Sequence, residues 1–320
     1  MENFNKLNSQ ESKKRSPEAM VGQLKGLLLE MSAGLNTELE EYLPDSFKGV
    51  GLVDEKGAVR ENLYNSENGG PLESEQIENF NQFISTREQD WSAFDDERVR
   101  KFYLEKYGAD TDEKFMQAWH DEKIKSNGAL AEMAVTLLMH KFLKDDFYVL
   151  RTNAYDDYAH GVDNFIVEKT TGTVVCTFDE FLGSSDDDRF HKKLDRERKQ
   201  AIQHGATITY GLGVEYTEEN KRQIIPKTIR DVPTFTLPIN KEQCLELIND
   251  LGESLDAEVG EVSIKVFKSI IASLATQAEY FKDDLSEGSP VLARVNEFMT
   301  ALVGIQERFH DELNLDGTNE

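Results

Sequence analysis

Four acidic side chains in this sequence stand where they could do chemistry together. Asp163 opens an apolar run read as a β-strand over 162–167, and Asp179 and Glu180 follow the next such run, 173–178. Lys169-Thr170-Thr171-Gly172 between the runs is a turn of the kind that joins antiparallel strands. Folded about that turn, Asp163 and Asp179 become cross-strand neighbours, with Cβ atoms about 4.5–5.5 Å apart. Two carboxylates that close repel, and one pKa rises unless a cation lies between them. Hard oxygen ligands of this kind suit Mg²⁺ or Mn²⁺, which polarise a phosphoryl oxygen and generate hydroxide. Strand alternation puts Val175, Thr177, Asp179 and Phe181 on one face and Cys176, Phe178 and Glu180 on the other. Only one of the two acids then faces Asp163, unless the strand ends between them. Asp179 is the choice, because Cys176 and Phe178 read as the core face. The fourth acid, Glu132, lies on a helix over 128–143 that is apolar nearly all round, with Glu132, Thr136 and His140 as polar exceptions along one side.

A basic helix follows the acids. Arg189, Lys192, Lys193, Arg196 and Lys199 form a stripe opposite Phe190, Leu194 and Ala201, the densest basic cluster in the chain. Beside paired acids such a stripe holds a phosphodiester or supplies a catalytic ammonium. As plain surface it would pair with Asp186, Asp187 and Asp188. Asp156-Asp157 reads as an acidic loop that either adds a metal ligand or caps a turn, and His160 as a loop histidine beside the site. Cys176 and Cys244 lie far apart in apolar contexts and read as buried free thiols. The sequence contains no P-loop, dinucleotide-binding or zinc-protease motif and no Ser/His/Asp arrangement with supporting context.

The surrounding elements must position these groups. The 320 residues exceed one average domain, with 38% hydrophobic and 30% charged residues and seven prolines. Residues 1–16 read as a disordered lead-in. Residues 17–110 read as a helical N-terminal region, with a helix from Pro17 to about Leu43, an irregular glycine-containing connection with a short hairpin near Gly57, and helical segments over 74–107. A further helix is expected after Asp110. Residues 111–240 hold the mixed centre, with a last strand at 207–214 and shorter edge strands at 223–225 and 234–239. Residues 241–320 form a helical C-terminal region, with helices near 241–252, 257–283 and 289–313. No run approaches the roughly 18 apolar residues of a membrane span, so no membrane partner and a cytoplasmic location are expected. The net charge of −25 argues against general nucleic-acid binding and confines any phosphate contact to a local basic patch.

The order of helix with Glu132, strand, strand with Asp163, strand ending at Asp179-Glu180, basic helix and final strand resembles the core of the PD-(D/E)XK nuclease superfamily. The resemblance covers about a hundred residues. It implies an α+β fold, a restriction-endonuclease-like αβββαβ core with a mixed sheet, flanked by N- and C-terminal helical regions. It implies a Mg²⁺- or Mn²⁺-dependent nuclease or phosphodiesterase with Asp163 and Asp179 as the strand acids and Glu132 as the helix acid, Glu180 being a further candidate ligand. Two positions depart from the family pattern: Phe181 stands where a strand lysine is expected, and Val162 where a proline is. Some members carry the lysine on the next helix, which nominates Lys192, Lys193 or Lys199.

Two functional readings follow. One is the metal-dependent hydrolase, with nucleic acid held by the Arg189–Lys199 helix. The other is a catalytically inactive nuclease-like fold acting as a protein-binding or assembly module through its end helices. The separation of Asp163 and Asp179, and a lysine beside them, discriminates the two. A contiguous acidic face would instead favour a mimic of nucleic acid that binds a basic partner.

Overall fold

Ser16 and Pro17 start the first helix as their types require. The Ser16 hydroxyl accepts from the Ala19 N–H at 3.3 Å, and Pro17 stands where no N–H is needed. The computed structural model describes residues 15–88 and 125–309, with 101, 105, 106, 108 and 114 between them. The lead-in over 1–14, the segment with Trp91, Phe94, Phe102 and Tyr103, and the helix expected after Asp110 lie outside the described residues. Helix α1 (Pro17–Leu39) buries Leu24, Leu28, Met31 and Leu35. It passes into a short 3-10 turn, Glu40–Tyr42, before Pro44. A small hairpin then pairs Val53 with Val59 about Gly57, whose φ of 83° only glycine adopts easily. The Asn36 side chain pins this hairpin to α1. It donates to the Val53 carbonyl at 3.0 Å and accepts the Val53 N–H at 2.9 Å. Helix α2 follows (Ser74–Glu88).

Helix α3 (Asn127–Leu143) is apolar nearly all round because it is covered on several sides, by α1, by the sheet and by the C-terminal helices. Strand β1 (Phe147–Arg151) leads to a short helix, α4 (Ala154–His160), where a loop is expected. Asn153 caps α4, and Gly161 ends it at a φ of 66°. Strands β2 (Asn164–Glu168) and β3 (Val174–Leu182) form the antiparallel pair about the Gly172 turn, and helix α5 (Asp188–Gln203) is the basic helix.

The last strand of the sheet is not the one that its hydrophobicity suggests. The 207–214 run belongs to β4 (Ala206–Tyr216), which pairs with β5 (Arg222–Val232) as a separate two-stranded sheet. The strand beside β3 is β6 (Thr234–Ile239), parallel to it, in the sheet order β1-β2-β3-β6. The fold is thus α+β with a mixed sheet. Pro238 is tolerated because β6 is an edge strand. The N–H and C=O of Thr236, two residues earlier, turn outward to the Gln277 side chain, at 2.9 and 2.7 Å. Pro238 presents its nitrogen to that same outer edge, where no ladder bond is lost.

Helices α6 (Lys241–Asp250), α7 (Glu261–Lys282) and α8 (Pro290–Arg308) finish the chain. Phe235 of β6 stacks on Phe281 of α7 and Phe298 of α8, and Phe142 of α3 stacks on Phe267 of α7. One continuous apolar core therefore joins the N-terminal helix, the sheet and the C-terminal helices. Cys176 and Cys244 are buried free thiols within it. Among the described residues no helix is long and apolar enough to cross a membrane.

Gln277 substitutes for a missing fifth strand. Replacing it with leucine leaves one buried N–H and one buried C=O without partners, each costing about 1–3 kcal/mol. Urea unfolding of Gln277→Leu should show a loss of about 2–5 kcal/mol. A loss below about 1 kcal/mol would mean that these groups find other partners.

Candidate functional site

The site is built where two ladders end at different places. The β2–β3 pairing stops at Asn164 opposite Phe178, whereas β3 stays paired with β6 through Leu182. Asp163 is therefore the first residue outside one ladder, while Asp179 and Glu180 are still held straight by the other. The Asp163 N–H donates to the Phe178 carbonyl at 3.2 Å, which keeps Asp163 in line with Asp179. Its carboxylate then accepts the Glu180 N–H at 3.1 Å. Just outside the β2–β3 ladder, Asp163 meets both acids of β3, not Asp179 alone, and its charge raises the pKa of each.

The two β3 acids leave on opposite faces. Glu180 points to the α3 side, where Asn164 Nδ2 donates to its Oε1 at 2.9 Å and Thr136 of α3 donates to Asn164 Oδ1 at 2.8 Å. The other oxygen, Glu180 Oε2, is buried with no hydrogen-bond partner. Asp179 points to the α5 side and forms an ion pair with Lys193. The Lys193 ammonium also donates to the Glu180 carbonyl at 3.2 Å. Lysine thus reaches the acids from the helix, at one of the three expected positions. Lys192 and Lys199 are exposed and line a cleft of about 680 Å³ between α4 and α5, together with Arg196 and His160.

Burial dominates the electrostatics. It pushes the Asp163 carboxyl above the usual range, and it takes Asp179 to about 7 with help from the Asp163 charge, against the opposing pull of Lys193. Glu180 is pushed well up by burial and then by Asp163. Three acids in so little water cannot all ionise without a compensating cation. Lys193 supplies one unit of that charge.

Glu132, the candidate helix ligand, lies close enough for its charge to raise Asp163 and Glu180, and it also pairs with an arginine. Its carboxylate lies 3.3 Å from Arg151 Nη2, at the end of β1. Glu132, Arg151 and Asp163 line a second cleft of about 540 Å³, walled by the hairpin residues 54–62. Among the described residues no set of three or more His, Cys, Asp or Glu side chains is arranged as a ready metal-ligand group. His140, eight residues past Glu132, is buried, and its pKa falls to about 4. Its charged neighbours are Lys144 and Lys169, none of them site residues.

Several site groups carry no motif in the sequence. Asp156 is fully buried and accepts the Thr209 and Tyr210 N–H groups at 2.8 and 2.9 Å, where the β4–β5 register shifts. It therefore clamps α4 to β4 and is neither an exposed loop acid nor a surface cap. Glu197, one turn beyond Lys193, is buried on α5 and accepts the Thr236 hydroxyl. Asn164 follows Asp163 at the start of β2, and Arg151 pairs with Asn164 from the edge strand β1. The available signal was a polar residue inside an apolar strand (Asn164) or an acid inside the basic stripe (Glu197).

No family model matches this chain, and no curated protein or solved structure matches it. The fold and the site define its class: an α+β protein in which buried carboxylates and a helix-borne lysine meet at the end of a mixed sheet.

Burial raises the Glu197 pKa to about 7, above an unfolded value near 4.5. Its folded form thus holds a proton that its unfolded form releases. The associated stability is complete below about pH 4.5 and is lost as pH rises through 7, on the order of 3 kcal/mol. Glu197→Gln, which mimics the protonated acid, should match wild type at pH 4.5 and exceed it at pH 8 in denaturant unfolding. Parallel pH profiles for the two proteins would contradict this.

Proposed function

We propose that the chain is a metal-dependent phosphodiesterase or nuclease of PD-(D/E)XK-like type. The observation that carries this reading is Lys193. It brings an ammonium from α5 onto Asp179 and the Glu180 carbonyl, which supports a helix-borne lysine in place of the strand lysine that the sequence lacks. The order α3, β1, β2, β3, α5, β6, read with α4 and the β4–β5 hairpin as insertions, supports the αβββαβ reading.

The residues present fit a hard divalent cation. Glu180 Oε2 is buried and unpartnered, and Asp163 stands beside it; burial raises both carboxyls, the Asp163 charge raises Glu180 further, and the Glu132 charge adds to both, a cost that a cation relieves. Mg²⁺ retains several waters and takes one or two protein carboxylates, so a ready set of three ligands is not required. Asp163 and Glu180 would hold it, with Asp179 shared between it and Lys193. The ion would supply a polarised phosphoryl oxygen and a more acidic water. Asp179 holds the Lys193 ammonium in place, and that ammonium stabilises charge developing on the phosphoryl group. Lys192, Arg196 and Lys199 line the neighbouring cleft and offer contacts to the phosphates of a bound strand.

The second reading is a catalytically inactive nuclease-like fold serving as a binding or assembly module through its end helices. The Lys193–Asp179 pair, which neutralises one acid without metal, favours it.

Labelled DNA and RNA, single- and double-stranded, incubated with Mn²⁺ or Mg²⁺ separate the two. Cleavage by wild type, with Lys193→Met lowering the rate by about 10²–10³-fold and Asp163→Asn abolishing it, supports the hydrolase. No cleavage by wild type with either metal supports the inactive module.

A further inference from the structure

Arg151 belongs to the candidate site, yet no part of the proposed reaction uses it. It closes β1 directly opposite Asn164, whose partner on β3 is Phe178, so Arg151, Asn164 and, two residues past Phe178, Glu180 share the α3 face of the sheet. Its backbone is fixed on both sides, paired with Asn164 and bonded through its N–H to the Gly57 carbonyl at 2.9 Å. Its guanidinium reaches Glu132 at 3.3 Å through Nη2 alone, while Nε is buried with no hydrogen-bond partner. A guanidinium presents a rigid fork of donors suited to two oxygens of one planar or tetrahedral anion. Here one donor of that fork is satisfied by Glu132 and another is satisfied by nothing.

We propose that Arg151 is the phosphate-binding residue of the cleft it shares with Asp163, and that Glu132 occupies it until a phosphodiester arrives. The inference rests on the phosphodiesterase reading and adds the group that would seat the substrate. The same cleft is lined by Asp54, Glu55, Glu61 and Asp157 besides Glu132 and Asp163, against Lys56, Arg60 and Arg151. That surplus of acid repels a bare anion, so the phosphodiester binds together with a divalent cation and not before it. Glu132 acts as a stand-in for the substrate phosphate: it satisfies part of the fork in the free protein and competes with the ligand for it.

The test uses full-length protein and a fluorescein-labelled oligonucleotide, with Ca²⁺ in place of Mg²⁺ to slow cleavage, read by anisotropy. Wild type should bind in Ca²⁺ and at least tenfold more weakly in EDTA. Arg151→Ala should weaken the Ca²⁺-dependent affinity by about 10–100-fold, with Arg151→Lys recovering only part of it, since an ammonium lacks the fork. Glu132→Gln should tighten binding several-fold in the wild-type background and give no gain when combined with Arg151→Ala. A purely structural Arg151–Glu132 pair predicts the opposite sign for Glu132→Gln. Mn²⁺ affinity by calorimetry should be unchanged in Arg151→Ala. If wild type binds Mn²⁺ and the oligonucleotide but Arg151→Ala binds both as well as wild type does, the role of Arg151 is refuted and the hydrolase reading stands. If wild type binds no Mn²⁺, both fall together.

Discussion

Everything at this site depends on one strand staying paired one neighbour longer than another. β3 is held by β6 through Leu182, while its partner on the other side stops at Asn164. Past that point β3 stays paired and its acids emerge on alternate faces, and Asp163, the first residue outside the β2–β3 ladder, acts on both. A carboxylate cluster is costly in a region that excludes water, as the raised pKa values of Asp163, Asp179 and Glu180 record. The sheet supports that cost because its own ladder, and the apolar core beneath it, do not depend on the state of the acids.

The compensation arrives from helices on both faces. α5 sends Lys193 to Asp179, and α3 sends Thr136 to Asn164, whose amide then holds Glu180. Each helix is in turn set by contacts beyond the three acids. α5 is fixed by the Thr236–Glu197 contact to β6, and α3 is sandwiched between α1 and the sheet. The C-terminal helices contribute through Gln277, which satisfies the outer edge of β6 and so lets a single parallel strand hold β3 in place. The acid site is thus a product of the whole core and not of one motif.

Much of this was legible in the sequence, for physical reasons that can be named. The Gly172 turn and the period-two runs about it set the register that lines up Asp163 with Asp179. The buried character of α3 followed from its lack of a polar face. The end of the β2–β3 ladder did not show, because chain termination of pairing depends on what lies beyond Asp163, here helix α4 and its Asp156 clamp. The exchange of β4 for β6 as the last strand was hidden for a related reason. Pro233 and Pro238 weaken β6 as a central strand, but an edge strand with Gln277 outside it has no use for the missing N–H. Arg151 was invisible because it belongs to no spacing pattern, and the role of Glu197, marked only as an acid inside the basic stripe, comes like that of Arg151 from contacts across the fold.

We propose that Asp163 and Glu180 form a cation site, whose buried acids a bound ion would relieve. The melting temperature of the folded protein in Mn²⁺ and in EDTA tests it most directly, since an ion that binds only the folded state must raise stability. A rise in wild type that is absent in Glu180→Gln is the expected result. No rise in wild type, or an equal rise in Glu180→Gln, would contradict the account.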